Sequence, residues 1–265
     1  MKQAYVFDNA WQQERLRLDS MGAIWDPYSR RNIEALGAGE GWRCLEVGAG
    51  GGSIAAWLCT IVGPEGRVVA TDVDTRHLKA LDHPALEIRQ HDITTDDIEA
   101  EAFDLVHARL LLEHLPARDE ALQRMYEALR PGGWLLLEEF DHVSFLPDPA
   151  CGADAVALWG IWTRAFERLS EQRGLDLAFG RRMAGLLDAL GLKDVAANGW
   201  TVVERGGDDQ RALLRLSIEQ LRDDLVATGE MGQAQVERLI VLLRNPAFRW
   251  TSQLMIAAQG RRPQR

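Results

Sequence analysis

The segment Trp42–Ile54, WRCLEVGAGGGSI, constrains the fold most strongly, because it reads as a strand, a glycine loop and a helix in succession. Trp42–Val47 is apolar and has the length of a strand, and glycines dominate the next five residues. Ser53 then begins an apolar helical pattern. Glycine permits positive φ angles and a close approach of the backbone to a ligand. The segment predicts a parallel α/β sheet with a ligand-binding loop at the carboxyl end of its first strand.

Strand-like and helical patterns alternate through the first half of the chain. The strand-like runs are Arg43–Val47, Arg67–Thr71, Leu86–Gln90, Phe103–Ala108 and Trp134–Phe140. The helical patterns are Ser53–Val62, Thr75–Leu81 and Arg118–Leu129. This alternation is typical of βαβ units. We therefore predict an α/β fold with a doubly wound, mostly parallel, seven-stranded Rossmann-like sheet, helices on both faces and an added helical cap.

The second half of the chain is predominantly helical. It contains helical patterns at Ala153–Arg173, Arg181–Leu190, Asp209–Thr228 and Gln233–Leu243, and strand-like runs at Val195–Val203 and Trp250–Ala258. No linker-like segment interrupts it, so we predict a single domain over residues 1–265. Its predicted parts are N-terminal lid helices at about 1–40, a core at about 41–142, cap insertions at about 144–180 and 208–245, and a closing strand at about 249–259.

Composition narrows the classes of function. The formal charge of −10 and the isoelectric point near 5.1 argue against a general nucleic-acid binder, which carries a basic patch. No apolar run approaches the ~18 residues of a membrane span, and the first residues lack the apolar core of a secretory signal. The three cysteines have no metal-binding spacing. We expect a cytoplasmic protein with no metal, nucleic acid or membrane as a partner.

The spacing of the glycine loop distinguishes between cofactors. Dinucleotide folds have G-x-G-x-x-G, with the pyrophosphate at the helix N-terminus. Here the order is acid-x-G-x-G-x-G, and Ser53 stands where the third glycine of that pattern would be. Glu46 would repel a pyrophosphate but suits an ammonium group, which disfavours a nicotinamide enzyme. The stretch resembles the first motif of class I S-adenosylmethionine-dependent methyltransferases. The resemblance implies S-adenosyl-L-methionine as the cofactor, bound by a loop that includes Glu46, Gly48, Ala49, Gly50 and Gly52.

Two acidic residues are candidates for binding the adenosine part. Asp72 ends the second strand about 20 residues past the glycine loop, where a carboxylate commonly accepts hydrogen bonds from ribose hydroxyls. Asp74 is its rival, although it also suits the N-cap of the following helix. Val73 lies between them and is included in the candidate site. The resemblance further implies that Asp92 accepts from the adenine amine and that Ile93 packs on the ring.

Two later segments, FDLVHARLLLEHLP and ALRPGGWLLLEEFD, extend the resemblance. In the family, residues just after the fourth strand line the methionine part of the cofactor, which implies that role for His107, Ala108 and Arg109. Arg109 has two further interpretations: contact with an acidic substrate, or a helical-spacing pair with Glu113. In the second segment Pro131 blocks continuation of a helix and two glycines turn the chain into the fifth strand. That junction, in that place, resembles the methyltransferases closely.

The resemblance implies transfer of a methyl group from S-adenosylmethionine to oxygen, nitrogen or carbon of a small-molecule acceptor, with specialised metabolism as a setting. The alternative is a protein of the same fold that binds the cofactor without methyl transfer. Trp159, Trp162 and Phe166 recur at helical spacing where the family builds its acceptor pocket, which suggests an aromatic acceptor. A paired arginine segment, Arg181–Arg182, could instead bind an acidic one. The sequence also allows a homodimer.

Methylation of a hydroxyl group is assisted by a nearby general base that accepts its proton. The candidate catalytic residues are His114, Glu139 and Asp141, drawn from a larger set that also holds Glu138 and His142. Side chains alternate along a strand, so Glu139 and Asp141 share one face and Glu138 takes the other. The sequence does not say which face meets the substrate. Near the N-terminus, an amphipathic stretch at Tyr5–Leu18 gives Tyr5, Gln12 and Arg15 as further candidates for contact with the cofactor.

Overall fold

The computed structural model of the protein describes residues 7–264, and its centre is a seven-stranded sheet. The strands are β1 (Arg43–Val47), β2 (Arg67–Asp72), β3 (Leu86–Gln90), β4 (Phe103–Arg109), β5 (Leu129–Asp141), β6 (Lys193–Trp200), β7 (Val203–Arg205), β8 (Arg249–Thr251) and β9 (Leu254–Arg261). The order across the large sheet is β3-β2-β1-β4-β5-β9-β6. The first five strands pair in parallel, and β9 runs antiparallel to both β5 and β6. The predicted doubly wound, mostly parallel sheet is confirmed.

Helices cover both faces of this sheet. The α-helices are α1 (Glu14–Ala35), α2 (Ser53–Val62), α3 (Arg118–Ala128), α4 (Ala153–Arg173), α5 (Met183–Ala189), α6 (Leu213–Gln220), α7 (Arg222–Ala227) and α8 (Gln233–Leu243). Cys44 of β1 packs in a buried cluster with residues of α1 and α2, whereas its neighbour Leu45 packs in another with residues of α3 and α5. The alternation along a strand thus builds one core on each face. Within residues 7–264, no helix has the length and apolarity needed to cross a bilayer.

A third buried cluster lies in the cap. Helices α4, α6, α7 and α8 pack together around Trp159 and Trp162, and Phe248 and Trp250 complete the cluster. The small two-stranded sheet β7–β8 belongs to this part of the molecule. The tryptophan rings sit 4.9 Å apart, centroid to centroid, in an edge arrangement that is favourable for aromatic pairs.

Several predicted elements differ from those in the structure. The predicted helix Thr75–Leu81 is reduced to a 3-10 turn at Thr75–His77, since Leu78 and Leu81 both bond back three residues rather than four. Asp74 caps that turn by accepting the N–H of Arg76, as its N-cap interpretation predicts. The amphipathic pattern at Tyr5–Leu18 becomes a helix only from Glu14, and Tyr5 lies outside the described residues.

The two strands predicted near the end of the chain are each divided between two sheets. The Val195–Val203 run becomes β6 and β7, and the Trp250–Ala258 run becomes β8 and β9. The two runs pass between the sheets at the same place, where the N–H of Val202 bonds to the hydroxyl of Ser252. The single helix predicted at Asp209–Thr228 is likewise divided into a 3-10 turn, α6 and α7, with a break at Leu221.

Candidate functional site

The glycine loop has the conformation that its sequence predicts. Gly48, Gly50 and Gly52 have φ angles of +69°, +53° and +79°, a region that side-chain-bearing residues rarely occupy. A Cβ on Gly48 would lie 3.0 Å from the side chain of Leu111. The amide of Ala49 bonds to the carbonyl of Thr71 at 2.9 Å, which ties the loop to the end of β2.

Asp72 ends β2 directly beside this loop. Its carboxylate accepts the backbone N–H of Gly50 at 2.9 Å and that of Asp74 at 2.9 Å. Burial raises the pKa of Asp72, and the two amides oppose that shift. One carboxylate therefore fixes the glycine loop and faces the cavity described next.

A cavity of about 650 Å³ opens at the carboxyl ends of the parallel strands. The predicted cofactor-binding residues that border it are Gly48, Gly50, Asp72, Val73, Asp92, Ile93 and Arg109. Asp92 is held by Thr94, whose amide and hydroxyl donate to it at 2.9 Å and 2.6 Å. The remaining predicted cofactor residues lie behind the cavity lining: Glu46, Ala49, Gly52, His107 and Ala108.

Arg109 is held by helix α1 and not by Glu113. Its guanidinium donates to the hydroxyl of Ser29 at 2.8 Å and to the carboxylate of Asp26 at 2.9 Å. Asp26 also accepts from the hydroxyl of Ser53, the first residue of α2, at 3.0 Å. The sequence interpretation that paired Arg109 with Glu113 is therefore wrong, because α1 borders the cavity and supplies the partners.

A buried chain of charges lies behind the loop. The imidazole of His107 contacts Glu46 at 2.6 Å through Nδ1 and Glu138 at 3.3 Å through Nε2. Glu138 also accepts from Asn32 at 2.6 Å and from Ser29. Burial by itself would lower the pKa of His107, but the two carboxylates raise it to about 9, so the ring is an imidazolium at neutral pH. His107 is fully buried and lies behind the residues that line the cavity.

His114 borders the cavity, as its role as a candidate base requires. Its Nε2 lies 3.4 Å from the neighbouring carboxylate of Glu113. Burial, assisted by Arg17, His142 and Arg118, lowers the pKa of His114 to about 3. The ring is therefore uncharged at neutral pH. Burial also raises the pKa of Glu113, and the nearby carboxylate of Glu139 adds to that rise.

The other two candidate bases face away from the cavity, which corrects the sequence hypothesis. Glu139 accepts the amides of Leu111 and Leu112 at 3.0 Å and 2.7 Å and so fixes the loop after β4; burial raises its pKa to about 8. Asp141 accepts from Val143 at 3.0 Å and pairs with Arg181. Burial opposes ionisation of Asp141, but the Arg181 guanidinium holds its pKa below the usual value. Both side chains have structural partners on the far face of β5.

The opposite face of β5 meets the cavity. Phe140 and His142, two residues apart, both border it. We call the part of the cavity bounded by His142, Phe145, Trp162 and Phe166 the aromatic chamber. Sequence periodicity predicts two of its rings, Trp162 and Phe166. No local sequence signal identifies the lining residues from β7, α6 and α7 and their flanks: Glu204, Leu213, Leu214, Ser217, Ile218, Leu221 and Leu225.

The paired arginines do not reach the chamber. Arg181 is bound to Asp141 and Arg182 pairs with Asp176, and among the described residues neither borders the cavity. Arg15 similarly pairs with Asp19 on an exposed face of α1, and Gln12 is exposed just before that helix. These four side chains were candidates in the sequence, and each lies outside the lining.

Known proteins resemble this chain over its core. Residues 45–135 match a family model described as a methyltransferase domain. Methyltransferase str2 of Strobilurus tenacellus is 28% identical over 165 residues, covering 61% of this chain and 51% of the relative. The ubiquinone/menaquinone biosynthesis C-methyltransferase UbiE of Vibrio vulnificus is 30% identical over 155 residues, covering 55% and 60%. The chain thus spans between about half and three fifths of the length of these relatives.

A solved structure shares the fold. Phosphoethanolamine N-methyltransferase 2 of Haemonchus contortus, in complex with phosphomonomethylethanolamine and S-adenosylhomocysteine, aligns with a TM-score of 0.51 at 17% identity. The alignment covers 85% of this chain and 50% of that one. The matched domain spans the strands that carry the glycine loop, Asp72 and Asp92. Over residues 45–135 the chain is therefore similar to methyltransferase domains, and its sheet has the fold of an S-adenosylmethionine-dependent methyltransferase.

Proposed function

We propose that this protein transfers the methyl group of S-adenosylmethionine to a small, largely apolar acceptor. The observation that carries the proposal is the cavity itself, which runs from the glycine loop, Asp72 and Asp92 to the aromatic chamber. One end has the carboxylates and open backbone that a nucleoside cofactor needs, and the other has apolar rings. A cavity with both ends brings a donor and an acceptor together.

The residues at the first end fit the cofactor. Asp72 would accept from the ribose hydroxyls and Asp92 from the adenine amine, with Ile93 against the ring. The buried set Glu46–His107–Glu138 has two carboxylates around one imidazolium, so it places net negative charge behind the loop. That charge favours a cationic sulfonium and ammonium. In this proposal Glu46 attracts the cationic cofactor through its charge and does not contact it directly, since its carboxylate is bonded to His107.

Arg109 fits the carboxylate of the methionine part. A guanidinium has five N–H donors, and Arg109 directs donors at Ser29 and Asp26 while its side chain borders the cavity. Remaining donors can form charge-assisted hydrogen bonds with a carboxylate. Because α1 holds Arg109, the helix and the cofactor would be ordered together.

Alignment and exclusion of water are the main contributions of the chain's own residues. The bound cofactor supplies an already activated methyl group. Phe140 and Trp25, whose ring centroids are 5.5 Å apart, border the cavity between its two ends and keep it apolar. The uncharged His114 would orient the acceptor by hydrogen bonding. Such positioning in a dry site can supply a large part of the rate.

Calorimetric titration of S-adenosylhomocysteine tests the proposal, with NADH as the control ligand. Asp72→Ala should weaken binding about 100-fold, because hydrogen bonds to a charged acceptor are worth roughly 1.5–3 kcal/mol each. Asp74→Ala is the matched control. The carboxylate of Asp74 is bonded to Arg76, so its removal should leave the affinity unchanged. Binding of NADH alone, or equal effects of both substitutions, would contradict the cofactor assignment.

Methyl transfer itself needs a second measurement. The protein would be incubated with methyl-labelled S-adenosylmethionine and a panel of small aromatic acceptors, and products with a gained methyl group would be sought by mass spectrometry. A product that carries the labelled methyl group would support the proposal that this protein is a methyltransferase. Tight cofactor binding with no transfer across the panel would favour the alternative, a protein that binds the cofactor without using it.

A further inference from the structure

The walls of the aromatic chamber form a continuous ring of side chains. Phe145 lies 5.0 Å from Trp162 in an edge arrangement, and Trp162 stacks on Phe166 at 6.0 Å, all between ring centroids. His142 lies 5.6 Å from Phe166 and 6.1 Å from Phe145. Flat aromatic faces and edges of this kind favour a flat aromatic guest.

His142 introduces a polar atom into these apolar walls. Its Nε2 is buried and has no hydrogen-bond partner among residues 7–264. The ring packs edge-on against Phe140 at 5.9 Å, on the face of β5 that borders the cavity. A buried polar atom without a partner is costly, and such atoms are rare in folded proteins. A ligand in the chamber would satisfy it.

We propose that the acceptor is an uncharged, hydroxylated aromatic or polycyclic molecule whose hydroxyl hydrogen-bonds to Nε2 of His142. The inference rests on the proposed function and specifies its substrate class. His142 thereby becomes the residue that sets the orientation of the ring in the chamber.

The chemistry of the chamber explains the choice of a hydroxyl. Burial lowers the pKa of His142 to about 4, so the ring is neutral and its Nε2 either accepts or donates, depending on the tautomer. A hydroxyl can satisfy either tautomer, whereas an ether oxygen can only accept. The indole N–H of Trp162 is also buried at the cavity without a partner among the described residues. This N–H could donate a hydrogen bond to a polar substituent on the acceptor.

An acidic acceptor fits less well. The arginines that border the cavity are Arg17 and Arg109. Arg17 is bonded to Glu14 at 2.8 Å and 2.6 Å, and Arg109 is bonded to Asp26. Arg17 thus already has a carboxylate partner, and the remaining donors of Arg109 would bind the carboxylate of the cofactor. An uncharged acceptor needs neither cation.

The experiment uses two probes that differ only in the hydroxyl, 2-naphthol and 2-methoxynaphthalene. Each is titrated calorimetrically into the full-length protein saturated with S-adenosylhomocysteine. The wild type should bind 2-naphthol about fivefold more tightly, because its hydroxyl donates one hydrogen bond to Nε2 and the ether has no proton to donate. His142→Phe keeps a ring but removes the nitrogen, and should bind both probes equally. His142→Gln restores an amide at similar reach and should recover part of the preference.

Val143→Ala is the matched control, since Val143 is the next residue and is 63% exposed. It should keep the wild-type ratio. An unchanged ratio in His142→Phe would refute the assignment of His142. Failure of both naphthalenes to bind a protein that binds S-adenosylhomocysteine would refute the aromatic acceptor while leaving the proposed function intact. Failure to bind S-adenosylhomocysteine would instead count against the proposed function itself.

Discussion

Among single residues, His107 has the most demanding environment. It is fully buried, and carboxylates on both sides make it an imidazolium whose pKa is about 9. Glu138 links it to Ser29 and Asn32 of helix α1, and Ser29 bonds to Arg109. Removing one partner of such a buried set leaves a charge uncompensated, which is strongly destabilising. The residue therefore couples the stability of the core to the arrangement of the cavity mouth.

This environment predicts a loss of stability at alkaline pH. The pKa of His107 in the folded protein is about 9 and that of an unfolded histidine about 6.5. The stabilisation is therefore complete below about pH 6.5 and is lost as the pH rises through 9, with a total of about 3 kcal/mol. Urea unfolding at pH 6 and pH 10 measures this loss. His107→Gln should be less stable at pH 6 and lose less on going to pH 10; equal losses would contradict the prediction.

At the scale of elements, β5 combines two functions. Its beginning pairs with β4 through a bulge that includes Gly132 and Gly133, where the sequence predicts a turn before the strand. Its end directs alternate side chains to different regions. Glu138, Phe140 and His142 face α1 and the cavity, whereas Glu139 and Asp141 bond to the loop after β4 and to Arg181. A one-residue shift in register would exchange these sets.

The bulge at the start of β5 predicts a large difference between two glycine substitutions. A Cβ on Gly133 would lie 2.7 Å from the backbone oxygen of Phe103, so Gly133→Ala should destabilise the protein by roughly 2–4 kcal/mol. At Gly185, in α5, a Cβ would meet no other atom within 4 Å. Gly185→Ala should therefore stabilise the protein by about 0.5–1 kcal/mol through helix propensity. Urea unfolding of both variants is the measurement; equal effects would contradict the close approach at Gly133.

At the scale of the whole molecule, the cavity lies where separately packed parts meet. One wall consists of the glycine loop and the loops that follow the other parallel strands of the sheet. Arg17, Leu18 and Trp25 of α1 form a second wall, and residues of the cap form a third. The buried cluster of the cap is distinct from the two clusters that flank the sheet. A ligand that contacts all of these parts would stabilise the chain as a unit.

Thermal unfolding measures that effect. S-adenosylhomocysteine at 100 times its Kd should add about 2.7 kcal/mol of stability. For a domain of this size, that corresponds to a rise in Tm of about 5–10 °C. NADH at the same concentration should leave the Tm unchanged, and Asp72→Ala should reduce the shift. A rise with NADH but not with S-adenosylhomocysteine would contradict the cofactor assignment.

Local patterns were sufficient for much of the fold. Strand β1, helix α2 and helix α8 have the predicted bounds, because their apolar residues follow a clear period and glycine or polar residues flank them. The positive φ angles of Gly48, Gly50 and Gly52 also follow from the motif. The predicted bounds failed where chain segments change sheets, at Val202 and Ser252, since that exchange depends on contacts between distant residues.

The sequence by itself determined the sheet, the glycine loop and the placement of Asp72 and Asp92 at strand ends, because each depends on residues close together in the chain. Only the tertiary structure decided that α1 holds Arg109 through Asp26 and Ser29, which lie some 80 positions away. It also decided which face of β5 meets the cavity, so that Phe140 borders the cavity and Glu139 and Asp141 do not. Strand alternation defines two faces but does not orient them, and the orientation comes from the helices that pack on each side.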